Sequence, residues 1–212
     1  MPSSSREEET RFHPSKHHLM VLDRVTLDTS ILVGPMSLEF AIAARLRYYR
    51  GHWSNWMVSE FSRVRTEMII QRAKRELGVT GENDDDELIQ GEIEQRLRRS
   101  RARVNAAVDD FTRVFTNVNY QAAEGVDLSW LKDEYDIPIM QTAIAVGVPG
   151  VLVTDNSRDF PIGEVRNGVL IVSGSMFMSY LYRTYPESQA VITEYAEDRR
   201  GAARERRPQL PP

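Results

Sequence analysis

Apolar positions along the chain follow two periods. Three short runs are continuously apolar or β-branched: 24–27 (Arg24-Val25-Thr26-Leu27), 151–153 (Val151-Leu152-Val153) and 169–172. Runs of that length bounded by polar turns predict buried strands. Elsewhere the apolar residues recur at three- and four-residue spacing, which predicts helices. Leu38, Ile42 and Leu46 follow Pro35 and stop near Gly51. Met57, Phe61, Val64 and Met68 form a stripe that starts after Ser54, a good N-cap residue, and ends at Gly78. Beyond the acidic patch Asp84-Asp85-Asp86-Glu87, the segment 88–118 carries Leu97, Val104, Val108, Phe111 and Phe115 on one face, predicting a long amphipathic helix. Further helices are predicted from Asp136 through Ile139, Ala143 and Ile144, at 175–183 and at 187–198. Helices alternating with continuously apolar strands imply a parallel sheet covered on both faces, a three-layer α/β/α arrangement.

The ends of the chain have a different character. Residues 1–20 are polar and include Glu7-Glu8-Glu9, and residues 187–212 hold the last predicted helix and an Arg- and Pro-rich tail from Arg199. The body of the domain is therefore expected at 21–186, with a helical insert at about 79–132. At 212 residues, against about 150 for an average domain, one substantial domain with additions is expected. The absence of cysteine excludes disulfide scaffolds, thiolate metal sites and cysteine nucleophiles. A net charge of -4 gives no strong overall attraction to polyanions, so a polyanion site must be local. The most apolar stretch, 145–153, is too short to span a bilayer and is broken by Gly147, Pro149 and Gly150. With no apolar signal segment near the start either, a soluble, cytoplasmic protein without a membrane partner is expected.

Candidate chemistry lies where the predicted strands end. In open α/β sheets, functional groups gather at the carboxyl ends of the strands. Leu27 runs into Asp28, and Val153-Thr154 runs into Asp155 and, four residues on, Asp159. Asp136 opens a helix, and Glu60 sits beside the apolar stripe of another. Such carboxylates make a candidate site for Mg²⁺ or Mn²⁺, which prefer hard oxygen ligands. Each acid also has a plain structural role open to it: Asp28 as a turn former, Asp136 as an N-cap, Glu60 as a surface side chain. Other acid-at-strand-end classes fit less well. Ser30 stands where a haloacid-dehalogenase-type phosphatase has its second Asp, the acidic pair and late Lys of a receiver domain are not evident, and no Gly-rich phosphate loop is present.

Several segments together resemble the PIN-domain nucleases. The stretch Val25-Thr26-Leu27-Asp28-Thr29-Ser30-Ile31-Leu32-Val33 is similar to the family's opening motif, and Trp53-Ser54-Asn55-Trp56-Met57-Val58-Ser59-Glu60-Phe61 to its helical glutamate motif. Asp136 followed by 139–145 resembles the acidic start of the later helix, and Val153-Thr154-Asp155-Asn156-Ser157-Arg158-Asp159-Phe160-Pro161 is the most specific match. The nearest likeness is to the bacterial subgroup of toxin components in type II toxin-antitoxin pairs, relatives of the VapC-type ribonucleases. The likeness covers 24–77 and 133 to about 181; where the subgroup carries Arg-His after its third acid, this chain has Ile137-Pro138.

The resemblance implies a PIN-like fold and an Mg²⁺- or Mn²⁺-dependent endoribonuclease held inactive by a cognate antitoxin. It implies Asp28, Glu60, Asp136 and Asp159 as catalytic carboxylates and metal ligands, with Asp155 as the alternative fourth acid. Thr29, Thr154 and Asn156 would support them. Two other functional readings stay open, a PIN-fold RNA-binding or scaffold module with weak catalysis and a nuclease acting on structured DNA. Arg96, Arg99 and Arg103 share one helical face and could track an RNA backbone, as could Arg65, Arg72 and Arg75, although pairing with Glu76, Glu92 and Glu94 on a solvated face is the commoner use of such charges. Trp53 and Trp56 read as core or dimer contacts, and His13, His17 and His18 as incidental. A homodimer is expected, through an apolar patch around Leu38, Ile42 and Leu46.

Overall fold

The computed structural model describes residues 20–79 and 86–205, with side chains to Ala202. The N-terminal tail with its three histidines and Glu7-Glu8-Glu9, Asp84 and Asp85, and the end of the Pro-rich tail lie outside the described residues. Among the described residues six strands, β1 (Val25–Leu27), β2 (Gly51–Trp53), β3 (Thr116–Asn117), β4 (Gly150–Val153), β5 (Val165–Arg166) and β6 (Val169–Val172), form one sheet in the order β3-β2-β1-β4-β6-β5. Every pairing is parallel except β5 with β6. All residues of β1, β4 and β6 are buried, which is why their sequences run apolar without alternation.

Among the described residues seven helices accompany the sheet: α1 (Thr29–Val33), α2 (Ser37–Arg45), α3 (Asn55–Glu76), α4 (Glu87–Thr112), α5 (Ile137–Val146), α6 (Gly174–Thr184) and α7 (Ser188–Glu205). They fall into two packed groups. In one, α7 packs on α2 and α6, and Phe40 of α2 stacks on Phe177 of α6 with ring centroids 5.8 Å apart. In the other, α3 packs on α4 and α5, with Phe61 edge-on to Phe111 at 5.4 Å. Two groups of helices and a mostly parallel sheet between them agree with the three-layer α/β/α expectation.

The structure departs from the sequence expectation in several places, the short helix α1 among them. The helix expected to reach residue 118 ends at Thr112, because Phe115 turns in against Trp53 and the next two residues pair with β2 as β3. The insert is therefore built into the core and the sheet: Phe111 and Phe115 both pack edge-on to Trp53, at 6.1 and 6.0 Å. Strands β2, β3 and β5 were not expected, since none of Gly51-His52-Trp53, Thr116-Asn117 and Val165-Arg166 is a continuous apolar run. Met68 is 48 % exposed and so leaves the apolar stripe of α3. Finally, α7 continues past residue 198 to Glu205, held by Arg200 to Glu39 at 2.5 Å and Arg199 to Asp110 at 3.8 Å. The patch expected to drive pairing is partly covered within the chain. Ile42 is buried, Leu38 and Leu46 pack against the core, and α7 lies on α2. No helix of the described residues is long and apolar enough to cross a membrane.

Candidate metal centre

The strand order places a switch point between β1 and β4. From β1 the sheet grows outward through β2 and β3, and from β4 it grows the other way through β6 and β5. A crevice at the carboxyl ends of two such strands is where open α/β sheets bind ligands. Asp28 follows β1 and Thr154 follows β4 directly, and the Asp28 N–H donates to the Val153 carbonyl at 2.9 Å. Both acidic turns are thereby brought to one place.

Asp28 is buried, and its Oδ2 accepts from the hydroxyls of Thr154 at 2.6 Å and Ser30 at 2.7 Å. Each hydroxyl in turn accepts a backbone N–H, from Asn156 at 3.0 Å onto Thr154 and from Asp155 at 3.1 Å onto Ser30. An oxygen occupied by an N–H has its single proton free to point at the carboxylate, so the direction of each bond is fixed. Burial pushes the Asp28 carboxyl above its ordinary range, and the Ser30 and Thr154 hydrogen bonds work against that rise. Thr29 serves a different acid: its hydroxyl donates to Glu60 Oε2 at 2.7 Å. Glu60 is raised mainly by burial and further by Asp28 and Asp133, while Thr29 and Arg63 oppose the rise.

Asp136 stands between a 3-10 turn (Glu134–Asp136) and α5, with Pro138 in the first turn of the helix. Its side chain makes no capping bond. The carboxylate is thus left for the crevice, where it is 7 % exposed and Asn156 Nδ2 approaches Oδ2 at 3.4 Å. Burial first, then the negative charges of Asp28, Asp159, Asp133 and Glu60, raise it to about 7. Five acids from four separate stretches of chain therefore face a common region.

The tightest group among them is Asp133, Asp136 and Asp159, which offer carboxylate oxygens all within 4.8 Å of one another and could hold a metal ion. Asp28 and Glu60 lie outside that trio while still acting on Asp136 electrostatically. Asp133 was missed in the sequence. Its only signal is its position three residues before Asp136 in an acidic stretch, and it also caps the 3-10 turn by accepting the Tyr135 N–H at 2.9 Å. Asp155 points elsewhere, accepting the N–H of Gly174 at 2.9 Å at the start of α6. A cleft of about 560 Å³ is lined by two of the trio, Asp133 and Asp159, together with Lys132, Glu134, Tyr135 and Arg158. The exposed Tyr135 is backed by Trp56, ring centroids 6.2 Å apart and 28° from parallel.

The basic helix faces lie outside this cleft. Arg96 is ion-paired to Glu76 at 2.6 Å and to Glu92 at 2.9 Å, while Arg99 and Arg103 are exposed on α4. On α3, Arg72 pairs with Glu76 at 2.7 Å, Arg75 reaches the Gln71 carbonyl at 3.4 Å, and Arg65 lies over the Phe61 ring. Trp53 is core. No family model matches the chain, and neither a curated protein nor a solved structure is significantly similar to it.

Proposed function

We propose that the chain is an Mg²⁺- or Mn²⁺-dependent endoribonuclease of PIN-like fold, acting as the toxin of a toxin-antitoxin pair. The observation that carries the metal-dependent part is the convergence of Asp133, Asp136 and Asp159, whose carboxylate oxygens all lie within 4.8 Å of one another. So much uncompensated negative charge on hard oxygen donors suits a small divalent cation. The nuclease and toxin assignments rest on the sequence motifs around Asp28, Glu60, Asp136 and Asp159.

Asp133, Asp136 and Asp159 would hold the cation. A bound divalent cation supplies a more acidic water and offsets charge on the scissile phosphate and the leaving oxygen. The chain's own residues do the rest. Ser30 and Thr154 fix Asp28, Thr29 fixes Glu60, and Asn156 orients Asp136, so the carboxylates are preorganised by neighbours with few alternatives. Lys132 and Arg158 on the cleft rim would draw in a phosphodiester, and Tyr135, backed by Trp56, would offer an unpaired base a surface to stack on.

The test is cleavage of a single-stranded RNA pool by purified protein under titration with Mg²⁺ and Mn²⁺, with a DNA pool in parallel. Metal-dependent RNA cleavage that Asp136→Asn and Asp159→Asn both abolish is the expected result. Full activity in both variants sinks the proposed centre, and cleavage of the DNA pool alone replaces the substrate.

A further inference from the structure

A second depression, of about 550 Å³, opens at the amino ends of the strands, the opposite end of the sheet from the carboxylates. Asp23 and Arg50 stand just before β1 and β2, Arg113 precedes β3, and Arg45, Arg47 and Tyr49 complete the rim. The four guanidinium groups come from the end of α2, the approach to β2 and the end of α4. Arg113 is more than sixty positions from the others in sequence, so the tertiary structure gathers positive charge in a chain whose net charge is -4.

Little nearby neutralises this charge. Among the described residues Arg45, Arg47 and Arg50 take part in no ion pair, and Asp23 is the one acid lining the pocket. Arg113 reaches Asp110 at 3.9 Å, and Asp110 is shared with Arg199 at 3.8 Å. The backbone at Arg47 is also unusual, with a φ of 64° just beyond α2. There the Arg47 N–H donates to Ala44 at 2.9 Å and the Tyr48 N–H to Ala43 at 3.0 Å, a helix ending that glycine fits best. An arginine at that position accepts strain that glycine avoids. Attraction to the negative end of α2 accounts for Arg45 and Arg47; it does not account for Arg50 and Arg113, which belong to other segments.

We infer that this pocket binds a phosphate group. Guanidinium groups keep their charge at any physiological pH and present planar forks that match phosphate oxygens bidentately, and several converging on one depression suit a dianion or a phosphodiester. The site is independent of the nuclease reading, since it shares no residue with the carboxylate centre.

The experiment uses the full chain in EDTA, which removes any contribution of bound cations at the carboxylates. Binding of inorganic phosphate is followed by calorimetry, and binding of a fluorescein-labelled single-stranded oligonucleotide without terminal phosphates by anisotropy, both at constant ionic strength. The Arg47→Gly/Arg50→Ala double variant removes two charges from the pocket while relieving the left-handed position, so it is expected to fold. Arg99→Ala/Arg103→Ala removes two charges elsewhere. Saturable binding at least tenfold weaker in the pocket variant and unchanged in the other is expected. If inorganic phosphate alone behaves so, the source is a free phosphate; if the oligonucleotide does, it is a nucleic-acid backbone. Absence of saturable binding of both probes to the parent chain, or equal losses in the two variants, overturns the inference.

Discussion

Replacing Asp136 by Asn should make the metal-free protein more stable at alkaline pH, and the size of the gain can be worked out. Asp136 titrates near 3.8 when solvated and near 7 in the fold. A carboxyl whose folded value is raised contributes stability that is fully present below the unfolded value and is lost as pH rises through the folded one. The full gap corresponds to about 4 kcal/mol, and about 2.5 kcal/mol of it falls between pH 5 and pH 8. Screening by solvent and by the neighbouring groups makes these figures upper bounds. The amide introduced by Asp136→Asn cannot ionise, yet keeps an oxygen for Asn156, so the variant should lack this loss. For a chain of this size each kcal/mol moves Tm by about 2–4 °C, so the parent should fall by up to about 5–10 °C more than the variant between the two pH values. The assay is thermal or urea unfolding in EDTA at about pH 5 and about pH 8. Added Mn²⁺ should then stabilise the parent at pH 8 by mass action and the variant much less. Parallel pH profiles for the two proteins would refute the reasoning, because they would mean that neither burial nor the surrounding acids raise Asp136.

Three further outcomes follow from the same geometry. Asp159→Asn should weaken Mn²⁺ binding at least tenfold by calorimetry, whereas Asp155→Ala should leave it largely intact and lower stability by about 1 kcal/mol through the lost bond to Gly174. Thr154→Val should cost about 2 kcal/mol in urea unfolding, since it takes a donor from buried Asp28 and an acceptor from the Asn156 N–H. Gly51→Ala should lower stability by about 1–3 kcal/mol in the same assay, because a Cβ there would lie 2.8 Å from Phe115 Cε1, inside the packed ring cluster around Trp53. An unaltered Tm for that variant would show that the insert does not pack on β2 as described.

Strands β1, β4 and β6 were legible in the sequence because each is buried on both faces, and burial leaves an unbroken apolar run. The helices from α2 to α7 were legible for the same reason at a different period. So were Asp28 and Asp136, since an acid that ends an apolar run or opens a helix stands out from its surroundings. The short strands carried no such signal. Both residues of β3 are exposed, and its pairing comes from Phe115 anchoring the chain beside Trp53. β5 could have been found from Asn167-Gly168, whose positive φ values of 50° and 77° make the tight turn into β6. The choice between Asp155 and Asp159 lay beyond any pattern, because both are polar residues of one turn, and only the arrival of α6 beside Asp155 binds that carboxylate to Gly174. Asp133 joins Asp136 and Asp159 by the path of a loop, and Arg113 joins Arg45, Arg47 and Arg50 because α4 returns the chain to the sheet edge. A sequence records which side chains seek burial and with what period; the meeting of charged groups from distant segments is set by how the packed layers position the strand ends and turns, and that is decided only in three dimensions.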